Sequence, residues 1–369
     1  MSEVSEHAYG VIVAGGGGTR LWPKSRQKLP KHLLKLFGNE TLLRKTYRRI
    51  TPVFSPDHIY VITVDSYKDL VAEQLPEIPR ENIITEPQAR NTALAMGTVA
   101  AHIGKKDPEA VIMNVHADQL IKEEDIFQKA VGVALVFAST GKYLTTIAVQ
   151  PTFPHTGLGY IRIGSEIDTD DDHGKTNYAF ASRGFKEKPD LATARAFLAS
   201  KEYFWNTGIY GWSVKALFEA FEKYSPDLYK NLLTIQEAVG NKDEDEVKKR
   251  VYDKAENLAI DVAVSEKAKN LVIIPGNFDW SDVGDWNGVW SMNPHDDSGN
   301  ALLNNADVIN INTKNCLIEG NGKLIATIGL EDIVIVDTEE ALLVCHKDKT
   351  QDVKKVIEEL KASKRENLL

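Results

Sequence analysis

Four consecutive glycines, Gly15, Gly16, Gly17 and Gly18, follow Ala14 and lead into Thr19-Arg20-Leu21-Trp22-Pro23, with Pro30-Lys31 a little further on. Bare backbone amides in such a run can converge on phosphate oxygens. Arg20 offers those oxygens a planar fork and Lys31 a point charge, so the segment is equipped to neutralise a polyphosphate. Between Glu6 and Glu40 there is no acidic residue, while Arg20, Lys24, Arg26, Lys28, Lys31 and Lys35 are basic. A charge run alone is more often a solvated face, so anion binding rests on the glycines and the cations together.

The spacing disfavours two commoner phosphate loops. A dinucleotide fingerprint needs glycine at its first, third and sixth positions, but counting from Gly15 or Gly16 puts Arg20 or Leu21 sixth. A Walker loop needs a glycine five residues before Gly-Lys-Thr, and Thr169 stands in that place before Gly174.

Carboxylates and a second lysine supply further chemistry. Asp118, in Asn114-Val115-His116-Ala117-Asp118-Gln119, follows an apolar run. It would sit at the carboxyl end of a strand, where open α/β sheets bind ligands. Asp282 lies in Phe278-Asp279-Trp280-Ser281-Asp282-Val283-Gly284-Asp285-Trp286. Paired carboxylates suit a hard cation such as Mg²⁺, although position alone allows Asp118 to be a turn or cap, and Asp279 and Asp285 read as capping or orienting groups. Glu86 opens Glu86-Pro87-Gln88-Ala89-Arg90-Asn91-Thr92-Ala93 with a carboxylate able to accept paired N–H donors. The same residues also make an ordinary strand-to-helix connection, with Asn91 as a helix cap. Lys188 in Phe185-Lys186-Glu187-Lys188-Pro189 reads equally as a strand end before a helix, and Asp261 in Ala259-Ile260-Asp261-Val262 as a helix cap. His116 is assigned no role.

These residues need a scaffold. Apolar, β-branched runs at 9–14, 58–64, 82–85 and 111–115 alternate with helical periodicity at 42–50, 67–75, 92–103 and 126–138. That alternation predicts an α/β fold, a Rossmann-like mixed, mostly parallel sheet flanked by helices. The acid-rich stretch 166–177 reads as a solvated hairpin loop, and acids four positions before bases across 243–250 support an exposed helix. A Pro/Asn/Asp/Gly-rich linker over 293–306 precedes short strands at 307–311, 316–319, 324–328, 333–336 and 341–345, with Asn321-Gly322 as a turn. Val353, Val356, Ile357 and Leu360 form one face of a closing helix. The expected division is a main domain over 1–293 and a small C-terminal β annex with its helix over 294–369.

Composition sets the outer bounds. With 369 residues, 43% hydrophobic and 26% charged, the chain has the mix of a globular protein and no apolar run of membrane-spanning length. A net charge of −9 argues against a nucleic acid polymer as partner. Two cysteines, Cys316 and Cys345, make no disulfide framework or zinc spacing, and residues 1–9 lack a leader's apolar core, so the expected location is the cytoplasm.

The run from Gly15 to Lys31 resembles the signature of sugar-phosphate nucleotidyltransferases, most closely that of mannose-1-phosphate guanylyltransferases. Similar blocks recur at 9–37, 86–93, 114–119, 157–161, 185–189, 205–212, 259–266, 278–286 and 332–353. The resemblance implies a nucleotidyltransferase fold with a β-helix-like tail. It implies GTP and mannose 1-phosphate as substrates and Mg²⁺ held by Asp118 and Asp282. Ala14, Gly15 to Gly18, Thr19, Arg20, Lys31, Glu86, Asn91, Thr92 and Ala93 would take the nucleotide. Gly159, Tyr160, Glu187, Lys188, Asn206, Thr207, Gly208 and Asp261 would take the sugar phosphate, with Lys188 gripping its phosphate. Arg20, Lys31 and Lys188 would carry the charge stabilisation that catalysis requires. A homodimer is expected through exposed annex strands. The alternatives are another sugar 1-phosphate, such as glucose 1-phosphate, and a non-catalytic nucleotide-sugar sensor.

Overall fold

Strands β1 (Ala8–Ala14), β2 (Ile59–Val64), β3 (Ile83–Glu86) and β4 (Val111–His116) are nearly continuous apolar runs, as expected of strands covered on both faces. They pair in parallel in the order β3-β2-β1-β4. The computed structural model in which they are seen describes residues 6–170 and 176–369. Residues 1–5, part of the stretch read as lacking a leader, and 171–175, the centre of the expected hairpin loop, lie outside the described residues.

After a two-residue strand, β5 (Leu120–Ile121), the sheet is extended by β6 (Leu144–Val149), β7 (Tyr160–Asp170), β8 (Thr176–Lys186), β9 (Tyr203–Ser213) and β10 (Leu271–Gly276). The order beyond β4 is β9-β6-β10-β8-β7, with β9 antiparallel to both β4 and β6. The sheet is therefore mixed and mostly parallel on its β1 side, in agreement with the sequence.

The stretch 166–177 departs from expectation. Outside its undescribed centre it is strand, with Glu166 opposite Phe180 and Asp168 opposite Tyr178. The acids obey the two-residue period of a half-solvated strand: Glu166, Asp168 and Asp170 are exposed, while Ile167 and Thr169 between them are half-buried.

The helices are α1 (Leu42–Ile50), α2 (Lys68–Gln74), α3 (Asn91–Lys106), α4 (Glu124–Ser139), α5 (Leu191–Ser200), α6 (Val214–Tyr224), α7 (Pro226–Ala238) and α8 (Glu244–Lys254), and α1 to α4 and α8 stand where the sequence pattern predicts them. Helix α3 is buried without interruption from Ala93 to Gly104. Its small residues admit neighbours closely: a Cβ on Gly97 would lie 2.5 Å from a methyl of Leu232 on α7.

The chain divides into two compact units that do not follow the linear boundary at 293. The first unit holds the chain up to Gly15, Thr46–His116 and Ile121–Asp279; the second gathers Gly16–Lys45, Ala117–Leu120 and Trp280–Leu369. The physical reason is one shared core. Leu21, Trp22, Leu34 and Leu36 from the basic segment are buried together with Leu317, Val334, Val336, Val353, Ile357 and Leu360 from the tail.

Within the second unit, β11 (Trp280–Ser281) and α9 (Trp286–Met292) precede the annex. The strands β12 (Ala301–Leu303), β14 (Leu317–Glu319) and β16 (Ile333–Asp337) are parallel, and β17 (Leu342–His346) closes the sheet antiparallel. A second layer pairs β13 (Val308–Ile311) with β15 (Ile325–Ile328) over Cys316, Ile318 and Ile335. Helix α10 (Val353–Ala362) follows. The expected linker 293–306 is ordered instead: it contains β12, and before that strand Asn300 is buried and donates to Asp296 and to the Thr313 carbonyl. No helix among the described residues is long and apolar enough to cross a membrane.

Candidate active site

In the second unit the glycine segment folds around Lys31. Gly18 has φ 64, and a Cβ there would fall 2.2 Å from the Lys31 Cβ. Glycine is needed at this position for both reasons. Gly16 and Gly17 are different, since added Cβ atoms would meet nothing within 4 Å. Their bare backbone faces open space, as close approach by a ligand would demand. Thr19–Leu21 then forms a single 3₁₀ turn with Leu21 buried and Arg20 exposed.

Lys31 is buried, and its Nζ donates to Asp118 Oδ2 at 2.8 Å and to the Asp282 carbonyl at 2.5 Å. Three sequence-predicted residues from distant segments are thus joined through one ammonium. Asp282 is aimed by a strained backbone: Val283, fully buried, has φ 48, a left-handed conformation rare for a β-branched residue. Asp282 Oδ1 accepts the Gly284 N–H at 3.2 Å. Asp285 caps α9 by accepting from the Gly288 N–H, and Asp279 faces Lys122 at 4.0 Å within the first unit, so both orient structure.

Two supports of this segment carried no clear sequence signal. Ser25 Oγ donates to the Gly17 carbonyl. His32 is wholly buried beneath the loop. Burial, opposed by the Asp118 charge and a hydrogen bond with the Gly16 backbone, pushes its imidazole down to about 4, which keeps it neutral.

The oxygen-donor chemistry fits a magnesium ion of limited protein ligation. Among the described residues no group of three or more His, Cys, Asp or Glu is placed to hold a metal. Mg²⁺ is commonly held by one or two carboxylates with the rest of its shell from water and phosphate, which is the donor set Asp118 and Asp282 provide.

The first unit carries the residues expected to meet base and sugar. Ala14 ends β1, and a Cβ on Gly15 would lie 3.5 Å from Glu86 Oε2. Glu86 is buried at the end of β3 and its Oε1 has no hydrogen-bond partner. Burial pushes its pKa up to about 8, against hydrogen bonds from the Tyr252 hydroxyl and the Arg90 backbone that favour the anion. Helix α3 opens at Asn91, whose backbone is left-handed with φ 68 and whose Oδ1 takes the Thr92 N–H. Thr92 Oγ1 and the Ala93 N–H are both engaged by the protein: Ile260 N donates to the former at 2.9 Å, and the latter donates to the Leu258 carbonyl at 3.1 Å.

The sugar block is built on a β-bulge. Ile147 pairs with Ile209 but Ala148 pairs with Asn206, leaving Thr207 and Gly208 as the inserted pair. Bulges of this kind re-aim backbone beside functional sites. Gly208 has φ 74, and a Cβ on it would press 2.7 Å from His116 Nε2, giving His116 a packing place beside the bulge. Asn206 donates to Asp261 Oδ1 at 2.8 Å and to the Tyr210 hydroxyl at 2.9 Å, and its Oδ1 accepts from Thr146. Thr207 Oγ1 donates to the Ile147 carbonyl. Asn206 and Thr207 therefore shape the bulge, and Asp261, which opens a π-turn (Asp261–Ser265), orients Asn206.

Glu187 and Lys188 follow β8. Glu187 Oε1 accepts from Lys188 Nζ at 2.5 Å, and a Cβ on Gly159 would lie 2.6 Å from Glu187 Oε2, so Gly159 makes room for that carboxylate. The Lys188 side chain is 62% exposed, on a backbone with φ 43. Tyr160 is fully buried, with its hydroxyl accepting the His155 N–H. Glu266, left without a role by the sequence, shares these surroundings: burial and the charges of Glu187 and Asp261 push its pKa up.

Comparison with known proteins places the chain in a family. Residues 9–299 match the family model described as nucleotidyl transferase, and residues 306–360 match a MannoseP isomerase/GMP-like beta-helix domain. The chain is 37% identical over 358 residues to a mannose-1-phosphate guanylyltransferase of Klebsiella pneumoniae, covering 96% of this chain and 74% of that protein. It is 38% identical over 363 residues to the mannose-1-phosphate guanylyltransferase of Salmonella muenchen, with 96% and 74% covered. A crystal structure described as a mannose-1-phosphate geranyltransferase from Thermus thermophilus superposes with a TM-score of 0.84 at 27% identity, covering 96% of this chain and 99% of that one. The chain belongs to the nucleotidyl transferase family.

Proposed function

We propose that the chain transfers GMP from GTP to α-D-mannose 1-phosphate, yielding GDP-mannose and pyrophosphate. The observation that carries this reading is the Lys31 ammonium joined to Asp118 and to the Asp282 backbone, a cation and two carboxylate-bearing residues brought together from three segments. A phosphate monoester is already largely anionic near neutral pH, with its second pKa near about 6, so the nucleophile needs no general base. An oxygen of the sugar phosphate forms the new bond to the α-phosphorus, and the bond from that phosphorus to the β-phosphate oxygen breaks, releasing pyrophosphate.

The residues divide this work by charge. The main-chain N–H groups from Gly15 to Thr19, with Arg20 and Lys31, hold the triphosphate and the departing pyrophosphate. Glu86 takes the guanine N–H groups beside Asn91. Lys188 holds the sugar phosphate, and Glu187 takes sugar hydroxyls near the bulge set by Asn206, Thr207 and Gly208. Asp118 and Asp282 would hold Mg²⁺, which supplies charge neutralisation on the phosphates when bound. The enzyme would work in the cytoplasm, as a homodimer.

Pyrophosphate release measured across a grid of nucleotides and sugar 1-phosphates tests the selectivity. GTP with mannose 1-phosphate should give the highest kcat/KM, and a preference for glucose 1-phosphate with another nucleotide would replace this reading with its sibling. Lys188→Ala should raise KM for mannose 1-phosphate or depress turnover, and Asp118→Ala should abolish it; near-normal kinetics in either variant would refute the corresponding assignment.

A further inference from the structure

Two blocks expected to meet different substrates are tied to one short stretch of chain. At its first end, the Ala93 N–H donates to the Leu258 carbonyl and Thr92 Oγ1 accepts the Ile260 N–H. At its other end, Asp261 Oδ1 accepts from Asn206 Nδ2 at 2.8 Å and from the Tyr210 hydroxyl at 2.7 Å. Asn206 Oδ1 in turn accepts the Gly208 N–H at 3.3 Å, so Asp261 reaches the bulge itself. Ile260 is buried in the core, which makes the stretch a stiff connection. Leu258 borders a cleft of about 530 Å³ together with Leu94, Tyr224, Val262, Lys254 and Lys267.

We propose that residues 258–261 are a tether coupling guanine-nucleotide binding to mannose 1-phosphate binding, with Thr92 as its positioning residue. The inference rests on the guanylyltransferase reading. A nucleotide that orders the start of α3 fixes Thr92 and Ala93, and through them the backbone at Leu258 and Ile260. Asp261 is then already fixed when the sugar phosphate arrives, so the second ligand meets a smaller ordering cost. By linkage the same factor acts in both directions. The hydroxyl of Thr92 is the removable joint. Valine keeps its shape but leaves the Ile260 N–H without an acceptor, while serine keeps the acceptor.

The test is calorimetric binding of mannose 1-phosphate with Mg²⁺, with and without saturating α,β-methylene GTP, whose α–β bridge does not break. In the wild type and in Thr92→Ser the analogue should tighten the sugar phosphate by about fivefold or more, the usual lower range of coupling between sites. In Thr92→Val the ratio should fall to near one. Asp261→Ala should lose it from the other end, and the double variant should lose no more than either single one, because both cut one tether. A ratio near one in the wild type, a wild-type ratio in Thr92→Val, or additive losses would overturn the tether while leaving the guanylyltransferase reading standing. Failure of the wild type to bind either ligand would instead overturn that reading, and the tether with it.

Discussion

Gly18 and Lys31 depend on each other: the left-handed backbone of Gly18 passes so close to Lys31 that Cβ atoms on both would be 2.2 Å apart. Gly18→Ala must therefore displace the lysine stem or the loop. The expected loss of stability is about 2–4 kcal/mol, combining the positive-φ penalty with overpacking. Gly16→Ala and Gly17→Ala meet open space and should unfold within about 0.5 kcal/mol of wild type while raising the KM for GTP. Urea denaturation with parallel kinetics separates the two classes; equal destabilisation by all three would contradict a ligand-facing role for Gly16 and Gly17.

Lys31 and Asp118 should be separable from stability in the same way. Lys31→Met keeps an unbranched stem against Gly18 and removes the charge, and kcat/KM should fall by about 100-fold, the scale of losing one charge-stabilising donor. Chelating divalent ions should stop turnover by the wild type, and added Mg²⁺ should restore it. Turnover undiminished by a chelator would remove the metal assignment of Asp118 and Asp282.

The ion pair of Lys24 with Glu319 ties the basic segment to β14, and the Glu319 carboxylate is buried with its Oε2 lacking a hydrogen-bond partner. Burial also lowers the Lys24 amine to about 8. Removing one partner leaves the other uncompensated, so Lys24→Met alone should destabilise by about 3–5 kcal/mol, whereas Lys24→Met with Glu319→Leu should lie near wild type. Chemical denaturation of the single and double variants checks this, and a double variant as unstable as the single one would contradict it.

Glu86 predicts a pH dependence whose sign follows from its raised pKa. Because the folded-state value, about 8, exceeds the ordinary carboxylate value of 4.5, stability associated with the neutral carboxyl is full below the lower value. It is lost as pH rises toward the upper one. Glu86→Gln removes this titration, so the stability of the variant relative to wild type should increase between about pH 5 and pH 8. With the Glu86 anion as the proposed guanine acceptor, nucleotide binding should run the other way, with KM for GTP falling as pH rises toward 8 in the wild type and flat in Glu86→Gln after the shared phosphate titration is divided out. Parallel pH profiles in the two proteins would remove Glu86 from base recognition.

Much of the scaffold was legible because it rests on local pattern. The β-branched runs of β1, β2, β3 and β4 form strands near their expected bounds, and the annex strands follow the spacing of their turns. The second unit was not legible, since the burial of Trp22 with Leu317 and Leu360 is a contact across nearly the whole chain that no periodicity announces. The continuation of β7 through Asp170 was not legible because acids on alternate positions resemble a loop in composition while obeying a strand's period. In the site, residue type pointed to Lys31 and the resemblance to Asp118 and Asp282, and the Lys31 ammonium joins Asp118 to the Asp282 carbonyl. What sequence could not give is which polar groups the protein itself engages: Thr92, Asn206 and Thr207 look like ligand contacts by type, yet their partners are Ile260, Asp261 and Ile147. The positive φ of Val283 is equally invisible, because nothing in a valine signals a left-handed backbone.

The most direct test follows phosphorus through the reaction by ³¹P NMR with GTP, mannose 1-phosphate and Mg²⁺. The mannose 1-phosphate resonance should disappear as a diphosphate ester and pyrophosphate grow in equal amounts, and only when both substrates are present. Pyrophosphate without the ester, or GTP consumption without mannose 1-phosphate, would contradict attack by the sugar phosphate on the α-phosphorus.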